Sequence, residues 1–372
     1  FAFLQGKSTS LPILIKKFAL EDAKYFNKPI ATLDVDLSKA YDKVPYHIKE
    51  MALRRFNLPE EGIGLWSAYD SKRRVRIRTP FGLSDAFHPE CGAFAQGAEE
   101  SCIGFVSLMS WASDFIDEHG NSEPYEINTS AETTAPLNKT LFCDDTAAMS
   151  KSAEGMQQTL DAMTTFMDAV QMDINYDKTF WVPMNIDNPP ALHFHSTTPA
   201  PSGQDPWARE NCTLQAVPMK SDTDIWRYLG HFQHNQGSTK TTQDNILAVL
   251  QEDLAYTASR PMTSQGKKQA IETLIYSKVV YQTKHSSLSK ENIDSYQTQI
   301  SKALKNGLHI SRSTANDLLY GAEAGGGIAA GHLWDRTHQE KLHILMEMLY
   351  SDVPAARAAV ANSLFRLGLE SK

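Results

Sequence analysis

The sequence predicts an α+β protein whose N-terminal region contains both strands and helices and whose C-terminal region is helical. Before residue 235, short alternating runs typical of strands are interspersed with helical patterns, whereas from Thr241 on apolar residues recur at helical spacing. We therefore expect a boundary near Gly237. A chain of 372 residues is long enough for two or three compact units with a sizeable core.

Composition narrows the class of protein. A hydrophobic content of 41% and a charged content of 22% are typical of a globular protein, and the net charge of −8 argues against coating nucleic acid through bulk positive charge. No apolar run approaches the roughly 20 residues that span a bilayer, so no membrane partner is expected. The four cysteines form neither a CxxC pair nor a regular framework, which favours a reducing, intracellular setting.

The first elements are a helix and a strand. An apolar, lysine-bearing stretch predicts a helix from near Ser10 to just before Asn27. The stretch Ile30–Val44 follows, and its residues 31–36 (ATLDVD) alternate apolar and polar side chains, as in a half-buried strand. This strand ends at Asp36, whose carboxylate can project into a cleft.

A second acidic site closes another apolar run, Leu141–Asp145 (LFCDD). A lone pair of aspartates is most often a turn or a solvated loop end. However, two carboxylate clusters on neighbouring strands would make a hard oxygen-ligand site that suits magnesium. Two such ions can bind both the attacking and the leaving oxygen of a phosphoryl displacement. The pair Asp144 and Asp145 is therefore the expected counterpart of Asp36.

Positive charge is concentrated in one short segment. Within seven residues the chain carries five cations, Lys72, Arg73, Arg74, Arg76 and Arg78. Alternation would place three of the guanidinium groups on one face of a strand, which returns through a hairpin turn at Phe81-Gly82. Binding of nucleic acid and a solvated edge strand are both open interpretations.

The remaining elements follow from helix and turn signals. In the mixed region we expect helices at Pro45–Phe56, Glu61–Tyr69 and Glu99–Ile116, a polar loop at Glu118–Lys139, an N-cap at Ser152, a buried methionine stripe over residues 156–170, and a strand at Ile174–Val182. The helical region has a pair of predicted apolar faces, Ile271, Leu274, Ile275 and Val279, then Ile293, Tyr296, Ile300 and Leu304. Lys240–Arg312 carries ten Lys or Arg against six Asp or Glu.

Seven blocks occur in order along the chain: Asp36–Asp42 (DLSKAYD), Gln96-Gly97, Phe142–Asp145 (FCDD), Ile174–Lys178 (INYDK), Tyr228-Leu229-Gly230, and the segments 266–281 and 324–327. Together they resemble the reverse transcriptase of LINE-type, non-long-terminal-repeat (non-LTR) retrotransposons. The opening Phe1–Thr9 (FAFLQGKST) resembles a further block of that family. The resemblance implies a right-hand polymerase fold with partial fingers, a ferredoxin-like palm and a helical thumb. It places the fingers mainly at 1–29 and 45–90, the palm at 30–44 and 91–236, and the thumb with a C-terminal extension at 237–372.

The resemblance also implies an activity, RNA-directed DNA polymerisation. The metal ligands would be Asp36, Asp144 and Asp145, with two Mg2+ ions or Mn2+ in their place, and Lys178 would be the acid for the leaving pyrophosphate. The deoxynucleotide would be bound by Leu37, Tyr41, Gln96 and Gly97, with Tyr41 as a steric gate against the ribose 2′-hydroxyl. The RNA template and DNA primer would be bound by Arg74, Arg76, Arg78, Leu229, Gly230, Lys267, Lys268 and Lys278.

The block around Gln96 departs from the family pattern. Ala93 takes a glycine position, Glu99 and Glu100 replace a more neutral stretch, and Cys102 stands where proline is usual. The chain begins Phe-Ala-Phe, which suggests a piece of a longer polyprotein that can include an endonuclease. In the cell, a nucleus or a ribonucleoprotein particle is the expected location.

Two alternatives remain open from the sequence. One is a domesticated or maturase-like reverse transcriptase. The other is a decayed, catalytically inactive remnant that still binds nucleic acid, which the altered Gln96 block and the acidic balance favour. Retention of all three metal-site aspartates favours an active enzyme.

Overall fold

The computed structural model describes residues 8–89, 92–95, 98–120, 122–194, 215–221, 223–234 and 237–370. The chain divides into two compact units. Unit 1 comprises Phe1–Asp222 together with Ala361–Lys372, and unit 2 comprises Thr223–Val360. The proposed limits of fingers, palm and thumb stay predictions. No described helix is both long and apolar enough to cross a membrane.

Unit 1 is built on a four-stranded antiparallel sheet whose strands are, in spatial order, β10 (Phe180–Met184), β1 (Ile30–Val35), β8 (Asp145–Ser150) and β7 (Lys139–Phe142). The helices of this unit, apart from the C-terminal one, are α1 (Ser10–Tyr25), α2 (Ala40–Lys43), α3 (Tyr46–Arg55), α4 (Glu60–Lys72), α5 (Glu99–His119) and α6 (Ala153–Ala169). The strands are β1 (Ile30–Val35), β2 (Leu37–Ser38), β3 (Arg78–Thr79), β4 (Gly82–Leu83), β5 (Tyr125–Asn128), β6 (Thr134–Leu137), β7 (Lys139–Phe142), β8 (Asp145–Ser150), β9 (Asp173–Ile174), β10 (Phe180–Met184), β11 (His193–Phe194) and β12 (Gln215–Ala216).

Helix α6 illustrates how the sequence specifies an element that packs on the sheet. The Ser152 hydroxyl accepts a hydrogen bond from the Gly155 backbone N–H at 3.0 Å, which satisfies one of the free donors of the first turn and confirms the predicted N-cap. The methionine stripe of this helix is buried as predicted, and α6 packs against β1 and β8. The apolar spacing therefore fixes which face of the helix meets the sheet.

Three predictions about unit 1 need correction. Strand β1 is buried at every position rather than half-buried, because α6 packs on the sheet and Lys16 of α1 pairs with the polar side chain of Asp34. The expected single strand Ile174–Val182 is two strands, β9 and β10, separated by a turn that begins at Asn175. The expected polar loop Glu118–Lys139 contains the hairpin of β5 and β6, in which Tyr125 pairs with Leu137.

Unit 2 begins with a hairpin and continues as packed helices. Its elements are β13 (Trp226–Tyr228), β14 (His231–Gln233), α7 (Lys240–Ser259), α8 (Ser264–Ala270), a π-helical segment (Ile271–Ile275), α9 (Tyr276–Lys284), α10 (Lys290–Gly307), α11 (Asn316–Tyr320), a 3-10 turn (Glu323–Gly325), α12 (Leu333–Leu349) and the start of α13 (Pro354–Glu370). The second predicted apolar face, from Ile293 to Leu304, is buried in the core of this unit.

The first predicted apolar face of unit 2 is wrong at one position. Ile271, Ile275 and Val279 are buried, but Leu274 is 60% exposed. The reason is the π-helical segment, in which each turn holds more residues than an α-helical turn and the side chains rotate out of the expected phase. A spacing rule based on 3.6 residues per turn therefore fails across this segment.

The C-terminal portion of α13 packs within unit 1. The Asn362 amide donates to Asp22 Oδ1 at 2.6 Å and to the Asn128 carbonyl at 2.9 Å. The ring of Phe365 stacks on Phe26 with centroids 6.0 Å apart. The last residues of the described chain therefore stabilise α1 and the β5-β6 hairpin.

Candidate active site at the ends of β1 and β8

The antiparallel register of β1 and β8 brings two of the predicted acids side by side. Val35, the last residue of β1, pairs with Thr146, so Asp36, immediately after β1, lies near Asp145, the first residue of β8. Directly paired residues on antiparallel strands have Cα atoms about 4.5–5.5 Å apart. The two strands therefore end in neighbouring carboxylates.

Asp36 is held from the turn between β9 and β10. Its Oδ2 accepts a hydrogen bond from the Asn175 amide at 3.0 Å and lies 3.6 Å from Lys178 Nζ. Its backbone is fixed from the same turn, because Asn175 N–H donates to the Asp36 carbonyl at 2.8 Å and Thr179 Oγ1 accepts from the Asp36 N–H at 3.3 Å. Lys178, which the resemblance assigns as the acid for the leaving pyrophosphate, therefore lies beside Asp36, and that role stays a prediction.

Asp145 experiences an excess of negative charge. Burial, together with the charges of Asp144, Asp36 and Asp34, raises the pKa of its carboxyl to about 6, and Lys178 opposes the rise. A carboxylate with a pKa near neutrality in such a setting is a recognised sign of a functional site. The site thus carries more negative charge than its single neighbouring lysine offsets.

The turn between β7 and β8 presents Asp144. Phe142 pairs with Asp145, which leaves Cys143 and Asp144 as a two-residue turn, and Cys143 has a φ of 57°. A left-handed φ at a non-glycine residue is uncommon and costs free energy, so it points to a conformation that the surroundings impose. Asp144 is half-buried at this turn.

Tyr41 packs beside the turn in an aromatic cluster. Its hydroxyl lies 3.2 Å from Cys143 Sγ, and its ring stacks on Phe105 with centroids 4.5 Å apart and meets Phe94 edge-on. Burial and the contact with Cys143 raise the pKa of the Tyr41 hydroxyl, which excludes it as a base at neutral pH. A methyl group on Gly104 would lie 2.4 Å from Phe94, so glycine is needed there for Phe94 to pack.

The residues present fit a divalent cation. Carboxylate oxygens are the ligands that Mg2+ prefers, and a cation would offset the excess negative charge around Asp145. Across the described residues, no three His, Cys, Asp or Glu side chains are oriented so that they could hold one metal ion. Binding by Asp36, Asp144 and Asp145 together therefore requires their half-exposed side chains to turn toward one another.

A buried ion pair beside this site was not predicted from the sequence. Lys16 on α1 donates to both oxygens of Asp34, at 2.6 and 2.5 Å, and its side chain is fully buried. Burial lowers the pKa of the Lys16 ammonium, while Asp34 raises it. A lysine on the apolar face of the first helix was the available signal, since a buried cation requires a partner.

Two of the predicted nucleotide contacts, Gln96 and Gly97, lie outside the described residues, so their roles stay predictions. The side chain of Leu37 is buried in the core, and its backbone pairs with Ile174, so a contact of Leu37 with substrate is limited to its main chain.

The predicted basic hairpin is present, but its ladder is short. Val75 pairs with Phe87 and Arg78 with Leu83, and the turn is Pro80-Phe81 rather than Phe81-Gly82. Of the three arginines proposed to bind nucleic acid, only Arg78 lies within a strand, and all three are exposed: Arg74, Arg76 and Arg78. We call residues 75–87 the arginine hairpin.

The predicted lysines of unit 2 are engaged by protein groups. Lys268 is buried and donates to the Ile328 carbonyl at 2.6 Å, so its ammonium group is not exposed to a phosphate here, and its role in binding nucleic acid stays a prediction. Lys278 pairs with Asp253 at 2.6 Å, and Lys267 donates to the Ala258 carbonyl at 3.3 Å. A phosphate that binds either of these two ammonium groups would therefore compete with the protein group that already contacts it.

Leu229 and Gly230 form the turn between β13 and β14. Their φ values of 47° and 80° are those of a type I′ turn, which suits the twist of paired strands. The Tyr281 hydroxyl donates to the Leu229 carbonyl, and the Gln282 amide donates to the Gly230 carbonyl at 3.0 Å. The turn is thereby fixed against α9 within unit 2.

Comparison with known proteins supports the motif analysis. The family model described as reverse transcriptase (RNA-dependent DNA polymerase) matches residues 1–232, which is more than half of the chain. The chain belongs to the reverse transcriptase family. Its acids at the ends of β1 and β8 lie within the matched region, and its mixed helices and sheets are those of a reverse transcriptase-like fold.

Two solved structures are also similar to this reverse transcriptase chain. They are telomerases from Candida albicans and Candida tropicalis, each in complex with a TWJ fragment of telomeric RNA, at 11% identity and a TM-score of 0.33. The matches cover 95% and 94% of this chain but 54% and 52% of the telomerases, so the chain spans about half the length of those proteins. No curated protein matches the sequence.

Proposed function

We propose that this chain is the core of an RNA-directed DNA polymerase from a non-LTR retrotransposon, which adds deoxynucleotides to a DNA primer on an RNA template. The observation that carries the proposal is the meeting of Asp36 and Asp145 at adjacent strand ends, with Asp144 on the turn between β7 and β8. Membership of the reverse transcriptase family and the ordered motifs support it. The remaining domains would belong to a longer protein.

In this proposal Asp36, Asp144 and Asp145 hold two Mg2+ ions. When bound, such ions activate the primer 3′-hydroxyl and stabilise the charge of the triphosphate. The protein contributes position, because Asn175 and Thr179 fix Asp36 in place. Lys178, which is exposed and 3.6 Å from Asp36, can give a proton to the leaving pyrophosphate.

Primer extension on an RNA template tests the proposal. Asp36→Asn and Asp144→Asn should each abolish extension in Mg2+ while leaving the circular dichroism spectrum and the unfolding midpoint close to those of the wild type. Asp187→Asn is the matched control, since Asp187 is an exposed aspartate on the loop after β10. Its extension rate should be that of the wild type.

Two outcomes would contradict this function. Full activity of the Asp36 variant would remove the carboxylate from the mechanism. A wild-type chain that binds primer and template but never extends them, in Mg2+ or Mn2+, would favour the inactive nucleic-acid-binding remnant.

Tyr41 is proposed as the gate that excludes ribonucleotides. Its ring is fixed by Phe105 and by the contact with Cys143, so its position is defined rather than adjustable. Tyr41→Val should increase ribonucleotide incorporation relative to deoxyribonucleotide incorporation in the same extension assay. Equal loss on both substrates, together with a lower unfolding midpoint, would make Tyr41 a core residue instead.

A further inference from the structure

The tip of the arginine hairpin exposes an aromatic ring that the proposed polymerase chemistry does not use. Phe81 is 100% exposed at the turn, and two flanking apolar side chains, Ile77 and Leu83, are 55% and 63% exposed. Removing such a ring from water is favourable, whereas a ring left in solvent contributes nothing to the free energy of folding. An exposed ring at a hairpin tip therefore indicates a surface that another molecule covers.

The base of the hairpin is firmly held. Val75 and Phe87 exchange two backbone hydrogen bonds, at 2.9 and 3.0 Å. Just before them, the Arg73 guanidinium donates to the Tyr46 hydroxyl at 3.1 Å and to the Gly92 carbonyl, and it lies over the Tyr46 ring. The His88 ring also stacks on the Tyr46 ring, with centroids 5.9 Å apart. The tip thus projects from a fixed base.

Charge identifies the chemistry of the partner. Residues 72–88 carry five Lys or Arg and one Asp, in a chain whose net charge is −8. Among the residues that the structure describes, no carboxylate lies within ion-pair distance of Arg74, Arg76 or Arg78. Such a surface binds a polyanion more favourably than it binds a protein surface with few acidic residues.

We propose that the arginine hairpin is a stacking platform for an unpaired stretch of the RNA template, with the Phe81 ring on a base and Arg76 and Arg78 on phosphates. This inference rests on the proposed polymerase function. A single strand is favoured over a duplex because only an unpaired base offers an open face to a ring, and stacking is tolerant of sequence. The guanidinium groups supply the salt-dependent component of the affinity.

Binding of a short fluorescent oligoadenylate RNA to the full chain tests the platform. Phe81→Ala should weaken binding about 5- to 150-fold, as expected for the loss of one base-aromatic stack. Phe81→Trp should bind at least as tightly as the wild type, whereas Phe81→Leu should be as weak as the alanine variant. Tyr350→Ala is the matched control, since Tyr350 is another exposed aromatic residue, 77% exposed, and its loss should leave the affinity unchanged.

The phosphate contacts of the arginines are tested by measuring how RNA affinity depends on salt concentration. Replacing Arg76 and Arg78 by Gln should reduce the slope of log affinity against log salt by about 0.7 per lost phosphate contact, with the ring still in place. Blunt-ended duplex RNA should show little dependence on Phe81.

The platform would be overturned by either of two results. If Phe81→Ala binds the oligoadenylate as the wild type does, no base stacks on the ring. If Phe81→Leu retains full affinity, the contact is apolar rather than stacking, as at a protein interface. Absence of primer extension by the wild-type chain would instead contradict the polymerase function. The binding assay distinguishes failure of the stacking proposal from failure of the polymerase proposal, because binding requires no catalysis.

Discussion

Asp34 and Asp36 lie two residues apart on one strand end and have opposite environments. Asp34 is buried and receives two hydrogen bonds from Lys16, whereas Asp36 is about one-third exposed and has an amide and a more distant lysine beside it. Both belong to the same alternating run in the sequence. The environments differ because Lys16 of α1 contacts Asp34 but not Asp36, so the carboxylate of Asp36 remains accessible to a ligand.

The contrast separates charge that stabilises the fold from charge that is available for chemistry. A buried carboxylate with a matched cation is a structural element whose partner is costly to remove. A carboxylate among other carboxylates is a site that gains from binding a cation. Stability measurements on the buried pair and on Asp145, which lies beside Asp36, should therefore give opposite signs.

The largest expected effect comes from removing the cation of the buried pair. Lys16→Met leaves Asp34 buried without its partner, and the free energy of unfolding should fall by about 3–5 kcal/mol. Chemical denaturation at neutral pH measures the loss. Lys178→Met, which removes the exposed lysine near Asp36, is the control and should change stability little.

A double variant sharpens the same comparison. Replacing Lys16 by Met and Asp34 by Leu together removes both buried charges and should recover most of the lost stability, because apolar pairs of similar volume often replace buried ion pairs without cost. A double variant as unstable as Lys16→Met alone would show that packing, not the unpaired charge, causes the loss.

A smaller effect of opposite sign is expected at Asp145. Its folded-state pKa is raised to about 6 from 3.8, so the stability linked to it is fully present below pH 3.8 and is lost as the pH rises through 6. Asp145→Asn should therefore stabilise the metal-free chain above pH 6. After allowance for its partial exposure to solvent, the gain should be about 1 kcal/mol, with no gain below pH 3.8.

Thermal unfolding as a function of pH, with a chelator present, measures this effect. Added Mg2+ should stabilise the wild type and should stabilise Asp145→Asn less, since the variant has lost a charged ligand. A pH-independent difference between the two chains would contradict the raised pKa.

Local patterns in the sequence predicted much of the fold. The cap at Ser152, the methionine stripe and the face from Ile293 to Leu304 follow from spacing and short-range hydrogen bonding, which a sequence displays directly. The period of two in β1 correctly indicated a strand, but its polar positions suggested one solvated face. They are buried because Lys16, 18 residues earlier, satisfies Asp34, and no local rule reveals such a partner.

The candidate site shows the same limit. Motif order predicted that Asp36 and Asp145 would meet, and the strand register brings them together. Local charge predicted that the lysines of unit 2 would be available to phosphates. Availability depends on carbonyls and carboxylates far along the chain, such as Ile328 for Lys268 and Asp253 for Lys278, which charge counts do not include.

The π-helical segment has a consequence for how this region can change over time. One extra residue per turn rotates everything that follows, so Tyr276, Val279, Tyr281 and Gln282 face their partners only because that residue is present. A substitution at the exposed Leu274 leaves this rotation unchanged, but deletion of a single residue would rotate the whole of α9 by roughly 100°. In the π-helical segment, the number of residues is therefore more tightly constrained in evolution than the identity of an exposed residue.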